Sequence, residues 1–360
     1  MNFWQKLYTE KKNTTGKALH VLAPMADVTD VAFREMFAKY GRPDVFWTEF
    51  VASDGLVRAP DDVVGKNGLT PAVQLRKDLL YTENQRPIVA QLFSGNPEYM
   101  EIACEEVARM GFDGIDLNMG CPDRSIEKQG AGAGCIKNPE NAQQVILAAK
   151  RGAAKADPEN PIPISVKTRL GYNTDVLEEW LLQLLETEPA VITLHARIRK
   201  DMSKVPARWE RIKRAVEIRN EYEKEKFGDI DVPRTLIFGN GDITSLEDAD
   251  QKVLETGCEG VMIGRAIFGN PWFFGTQNRD TDISIEERLK VMVEHTKMFE
   301  EELGFKNFAV MKKHYKAYCE GFDGAKDLRT KLFDEAQTAD DVARIVGEWL
   351  QNLEKKSLAF

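Results

Sequence analysis

Cysteine and histidine are scarce in this chain, and their placement excludes more than it suggests. The five cysteines (Cys104, Cys121, Cys135, Cys258 and Cys319) are odd in number and scattered, with no Cys-x-x-Cys pair to hold zinc or form a redox disulfide. Reduced thiols and no metal site are expected. No stretch reaches the ~18 uninterrupted apolar residues of a membrane span, and Met1-Asn2-Phe3-Trp4-Gln5-Lys6 runs into Glu10-Lys11-Lys12 without an apolar leader core. The expectation is a cytoplasmic protein with no membrane partner. No Gly-x-Gly-x-x-Gly turn follows a candidate strand, which argues against a Rossmann-bound dinucleotide. Positive charge is not in excess either: the net charge is −9, so any nucleic-acid site has to be a local basic patch.

What is present is an ordinary globular composition, 42% hydrophobic and 30% charged, long enough for more than one domain at roughly 100–200 residues each. Short apolar or β-branched runs recur at Leu19–Met25, Asp44–Glu49, Pro87–Phe93, Gly114–Asn118, Pro163–Thr168, Ala190–His195, Thr235–Asn240 and Gly260–Gly264. The segments between them have helical spacing and helical punctuation: Thr29–Lys39 opens on a Thr-Asp cap, Pro97–Met110 closes at Gly111, and Ser245–Glu255 closes at Gly257. Eight alternations predict an α/β fold, a parallel (β/α)8 TIM barrel of about 250 residues. The predicted barrel covers residues 18–278, after an N-terminal extension at 1–17. A long insert, Val51–Arg86, is expected to carry a hairpin around Pro71–Leu75 and Leu79–Tyr81. Beyond Pro271-Trp272-Phe273-Phe274 strand signals cease; Ile283–Leu303, Phe308–Cys319 and Thr338–Leu353 predict an all-helical domain at 279–360.

In such barrels chemistry sits at the C-terminal ends of the strands. Here nearly every strand ends in a functional side chain or a glycine: Met25, Glu49, Gln91, Asn118 with Cys121, Lys167 with Arg169, His195 with Arg197, Asn240 with Asp242, and Gly264 with Arg265. Any one of them alone is equally a structural group; their convergence is the signal. Gly239-Asn240-Gly241-Asp242 and Gly264-Arg265 lie where this fold commonly binds phosphate, with backbone amides and an arginine fork available. Lys167 would stabilise negative charge in the mouth, and Gln91 can both donate and accept at the edge of a heterocycle. Cys121 follows a strand-end Asn in Asn118-Met119-Gly120-Cys121-Pro122, with Gly130-Ala131-Gly132 permitting close approach of a ligand. A free thiol, mostly protonated at neutral pH, can donate a proton as well as attack.

These residues resemble the dihydrouridine synthases over nearly the whole chain. The resemblance runs from Ala23-Pro24-Met25-Ala26-Asp27 through Val89-Ala90-Gln91-Leu92-Phe93 and Asp116-Leu117-Asn118-Met119-Gly120-Cys121-Pro122. It continues in Val166-Lys167-Thr168-Arg169-Leu170-Gly171, His195, Gly239-Asn240-Gly241-Asp242 and Ile263-Gly264-Arg265. It implies an FMN-dependent oxidoreductase of tRNA, reduced transiently by NADPH or NADH, that passes hydride to uracil C6 while Cys121 protonates C5. It further implies FMN contacts at Pro24, Met25, Gln91, Lys167, His195, Asn240, Gly241, Asp242, Gly264 and Arg265. Asn118, Arg169 and Arg197 would face the substrate. In the helical tail Lys312, Lys313 and Arg329, with Lys316, Lys326 and Lys331, form the basic patch that net charge conceals, and the resemblance implies that it binds tRNA.

Loop six departs from the family pattern. It reads His195-Ala196-Arg197-Ile198-Arg199 with Asp201, Ser203 and Ala207-Arg208-Trp209, where the family usually has His-Gly-Arg-Thr-Arg and Ala-Asp-Trp; Ser125 stands where many relatives carry lysine. RNA is therefore expected to be positioned differently there. Two rival readings stay open: an FMN barrel reducing a small pyrimidine, like a dihydroorotate dehydrogenase, and a tRNA-binding protein without chemistry. No obligate protein partner is expected.

Overall fold

The computed structural model describes residues 1–357 except Val63, Lys66 and Asn67, with side chains described as far as Leu353. Eight parallel strands form one sheet in the order β1-β8-β7-β6-β5-β4-β3-β2. They are β1 (Leu19–Leu22), β2 (Phe46–Ala52), β3 (Ile88–Phe93), β4 (Gly114–Met119), β5 (Ile164–Arg169), β6 (Val191–His195), β7 (Leu236–Asn240) and β8 (Gly260–Ile263). Pairing of Leu19–Leu22 with Gly260–Ile263 and a bridge from Val21 to Val45 bring the first strand to both ends of the sheet, as the predicted barrel requires. Every predicted strand is present within a few residues of its expected bounds.

Two compact units make up the chain. The first holds all eight strands in Met1–Ala26, Asp44–Tyr81 and Arg86–Gly264; the second consists of Asp27–Pro43, Thr82–Gln85 and Arg265–Phe360. The helix Val31–Tyr40, by sequence the first of the helices that alternate with the strands, groups with the C-terminal helices.

The N-terminal segment, expected only as an extension, is the helix Phe3–Thr15. Asn2 caps it in a reciprocal box with Gln5 and Gly16 closes it in a left-handed conformation, signals that the Asn-x-x-Gln spacing carries. Its Trp4 is fully buried in the barrel core with Val21, Val89, Leu236 and Met262. The indole meets Phe238 edge-on at 5.6 Å and Trp47 at 5.3 Å. The extension is therefore part of the core.

The insert after β2 corrects an expectation. In place of a hairpin it holds the helices Ser53–Arg58 and Pro71–Lys77. Thr70 accepts from the Val73 amide at 3.3 Å and Pro71 occupies the first turn, so a capped helix start outcompetes the short alternation that suggested strands. In the second unit Phe308–Met311 is a 3₁₀ turn leading into the helix Lys312–Tyr318. A further helix, Ala325–Glu335, lies in a stretch for which no element was expected. Ile285–Leu303 and Ala339–Ser357 match the other two predictions. No helix among the described residues is long and apolar enough to cross a membrane.

His295 and His314 are fully buried in that unit, their rings 4.8 Å apart beside Phe33 and Phe268. Neither nitrogen of His314 has a hydrogen-bond partner, nor has Nε2 of His295. Burial pushes His295 down to about 3 and holds His314 well below the usual imidazole range. Both are neutral in the folded state, whereas the unfolded chain takes up protons at about 6.5. Their contribution is thus fully present above that pH and is lost as pH falls below it, for His295 over the range down to about 3, at about 1.4 kcal/mol per pH unit for each histidine. Urea titrations at pH 7.5 and 5.5 will show this acid loss reduced in His314→Phe.

Trp4→Ala is expected to cost about 3–5 kcal/mol, the range for emptying an aromatic core site. The same denaturant titrations measure it, and a cost below 1 kcal/mol would mean that Trp4 is not integral to the core.

Candidate active site

Strand alternation decides which side chains share a face, and register decides which stand level. Gln91 pairs with Asp116, Asn118 with Lys167, Arg169 with His195, and His195 with Asn240. In a parallel sheet residues paired in register project to the same side, and those two apart along a strand do likewise. The predicted residues Gln91, Asn118, Lys167, Arg169, His195 and Asn240 therefore share one face, together with Asp116, a residue of the strand motif to which no role was assigned. The same parity that separates Asp116 from Asn118 by two positions could have identified it.

Asp116 anchors a hydrogen-bonded line to the thiol loop. Its carboxylate, fully buried, accepts from Ser165 Oγ at 2.6 Å and from Gln91 Nε2 at 2.6 Å. Gln91 Oε1 accepts from Asn118 Nδ2 at 3.1 Å, and Asn118 Oδ1 accepts from the amides of Gly120 (3.2 Å) and Cys121 (2.9 Å). Gln91 and Asn118 thus sit beneath the loop and fix its backbone. The loop folds back so that Ala133 N–H donates to Cys121 O at 2.9 Å. Gly132, at φ +56°, lies so close that a Cβ would stand 2.7 Å from that same carbonyl. Only glycine meets both demands.

Cys121 is half-buried, whereas the other four cysteines are buried. Burial raises its thiol above the ordinary value, opposed in part by the cations Lys167 and Arg169. Lys167 is half-buried at the end of β5 and has no hydrogen-bond or ion-pair partner among the described residues. Burial and neighbouring Arg169 lower its ammonium to about 8. Burial likewise raises Asp116 to about 6 against its hydrogen bonds from Ser165 and Gln91. The result is a protonated thiol in the loop after β4, a dry carboxylate on β4 and, on β5, a cation unpartnered among the described residues.

The arginines predicted to face substrate are engaged inside the protein. Arg169 is buried; its Nε donates to Gly120 O at 2.7 Å and its Nη1 to Ile198 O and Met202 O at 3.4 and 3.2 Å. Arg197, 2% exposed, donates from Nε to Val205 O at 2.6 Å, pairs with Asp242, and brings Nη1 within 3.0 Å of His195 Nε2. Asp242 Oδ2 also accepts from the Ala207 amide at 2.9 Å, so the carboxylate expected at the cofactor ties loop seven to loop six. Asn240 Nδ2 donates to Met262 O at 2.8 Å. Gly241 has φ +131°, and a Cβ there would lie 2.9 Å from Ala207 Cβ. At Gly264 a Cβ would meet only Ala23 Cβ and Met25 Sδ, at 3.6 and 3.8 Å. Pro24 and Met25 follow β1 half-buried, and Arg265, itself exposed, opens the 3₁₀ turn Arg265–Ile267 in the second unit.

In the second unit the basic patch is partly committed to the fold. Lys312 Nζ donates to Phe333 O at 2.7 Å, Arg329 Nη1 to Cys319 O at 2.5 Å, and Lys331 pairs with Glu348 at 2.6 Å. Lys313 is half-buried, and Lys316 and Lys326 are exposed. No group of acidic, histidine or cysteine side chains among the described residues could hold a metal ion.

Because Lys167 lowers the Cys121 thiol, Lys167→Met is expected to move the alkylation of Cys121 by iodoacetamide to higher pH. An unchanged rate-against-pH curve would show that the two groups are not electrostatically linked.

Residues 21–356 match the family model described as dihydrouridine synthase. A protein named probable tRNA-dihydrouridine synthase from Staphylococcus aureus strain MRSA252 is 34% identical over 342 residues, covering 94% of this chain and 93% of its own. Probable tRNA-dihydrouridine synthase 2 from Bacillus subtilis strain 168 is 36% identical over 352 residues, covering 97% and 96%. The chain belongs to the dihydrouridine synthase family.

Proposed function

We propose that this protein reduces the C5=C6 bond of uridine in tRNA, with FMN in the barrel mouth and NADPH as reductant. Family membership supports the substrate class, and one observation supports the chemistry: burial keeps the thiol of Cys121 in its acid form on a loop anchored to the strand ends. A thiol held protonated is suited to giving a proton to carbon rather than to attacking it.

The residues present fit a flavin. Lys167 offers an ammonium without a partner among the described residues, and a Cβ at Gly264 would make only ordinary contacts with Ala23 and Met25. Lys167, Gly241, Gly264, Asn240 and His195 would hold the group, which when bound supplies the hydride delivered to C6 of the base. Cys121 gives its proton to C5. Lys167, positive below about pH 8, stabilises negative charge developing in the mouth. Asn118 and Arg169 act on the thiol through its backbone, holding the amide of Cys121 and the carbonyl of Gly120. Exposed Lys316 and Lys326, with Lys313, are the tail residues suited to phosphate contacts.

Purified protein is expected to be yellow, and its reduced flavin to be reoxidised under anaerobic conditions far faster by unmodified tRNA than by free uridine. Equal rates would favour reduction of a small pyrimidine, and a protein that cannot be loaded with FMN would sink both reductase readings. Cys121→Ala should retain flavin and its reduction by NADPH while uridine reduction slows by about 10²–10⁴-fold, the usual contribution of a positioned acid. Full turnover in that variant would remove Cys121 from the mechanism.

A further inference from the structure

Loop six carries the sequence departures, and one of its arginines is held by a carboxylate on the thiol loop. Glu127 ends the short helix Arg124–Glu127, which begins three residues after Cys121. Arg199 grips it with both forks, Nε to Oε1 at 2.5 Å and Nη2 to Oε2 at 2.5 Å. Tyr172, from the loop after β5, donates its hydroxyl to the same Oε2 at 3.1 Å. The Tyr172 ring in turn lies 4.5 Å from Lys137 Nζ and 5.0 Å from the Arg199 guanidinium carbon. Backbone bonds join the same strips of chain: Arg199 N–H to Gly171 O at 2.8 Å and Lys200 N–H to Tyr172 O at 2.9 Å. One carboxylate, its side chain 7% exposed, thereby gathers the loops that follow β4, β5 and β6.

We propose that Glu127 is a positioning residue for the reaction: bound by Arg199 and Tyr172, it latches the Cys121 loop against loops five and six and so fixes where the thiol is presented. The inference rests on the proposed uridine reduction for its consequence in turnover, but not for the latch itself. Bidentate arginine–carboxylate pairs impose direction as well as attraction, and a largely buried pair is screened little by salt. The latch complements the hydrogen bonds beneath Cys121. Asn118 holds the loop from the strand below, whereas Glu127 holds it sideways, at the far end of the same short segment. A ligand entering over loop six would meet Arg199 already committed to holding the thiol loop.

Two readouts in the full-length, flavin-loaded protein test this. Glu127→Gln keeps the shape and an acceptor for Tyr172 but loses the charged fork. Its kcat for uridine in tRNA is expected to fall about 10- to 100-fold, the scale on which loss of alignment acts, with KM and reduction by NADPH little changed. Because Cys121 is the only cysteine of the five that is not buried, iodoacetamide reports on it selectively, and its alkylation should accelerate as the loop loosens. The exchange E127R with R199E should recover part of both properties. A variant with a lower melting temperature but unchanged kcat and alkylation rate would mean that the pair only stabilises the loops, and would overturn the proposal. Should Glu127→Gln fail to fold, Tyr172→Phe, which removes one hydroxyl, is read in the same way. If the wild-type protein does not reduce tRNA uridine at all, the functional reading fails, while the alkylation rates still decide whether the latch holds the thiol.

Discussion

The hydrogen-bonded line from Asp116 through Gln91 and Asn118 to the Cys121 amide ties the thiol loop to the barrel. A carboxylate in a dry interior must be satisfied by donors or protonated, and here Ser165 and Gln91 supply the donors at 2.6 Å each. That obligation fixes the Gln91 amide, which fixes Asn118, which orients two successive amides of the thiol loop. Three parallel strands meet in the line, so it exists only in the register that sets Gln91 opposite Asp116 and Asn118 opposite Lys167. A slip of one residue would turn every member to the other face.

Above this base the mouth is braced by internal pairs rather than left open and charged. Arg169 spans the carbonyls of Gly120, Ile198 and Met202; Arg197 joins His195, Val205 and Asp242; Arg199 grips Glu127. Three arginines that could have been anion ligands are instead the cross-links of loops four, six and seven. Lys167 is the contrast: its ammonium has no partner among the described residues and is lowered to about 8 by burial and by Arg169. A fixed charge of this kind is the element that the proposed reduction would use for electrostatic stabilisation.

Much of the fold was legible because a parallel barrel writes itself as a repeat. Eight apolar runs alternating with capped helices leave few other architectures, and their bounds agree with the strands to within a few residues. The hairpin expected in the insert failed for a local reason: Thr70 and Pro71 start a helix, and a capped first turn outweighs a short alternating pattern. The N-terminal helix was signalled by Asn2 and Gln5, but nothing in the sequence said that Trp4 would fill the barrel core, because that contact joins residues more than two hundred positions apart.

The site divides in the same way. Sequence alone determined which residue types stand at the strand ends, since position after an apolar run is a local property; Cys121, Lys167, Asn118 and Gln91 were named from it. Sequence also determined the family, through motifs whose order survives along the chain. Only the tertiary structure decided what each polar group does with its hydrogen bonds. It turned Gln91 and Asn118 into supports of the loop backbone, buried Arg197 into the partner of an exposed Asp242, and Glu127 into the partner of an arginine 72 positions away. The physical reason is that hydrogen bonds and desolvation depend on distances in space, which strand register and loop closure set and which no spacing in the sequence encodes.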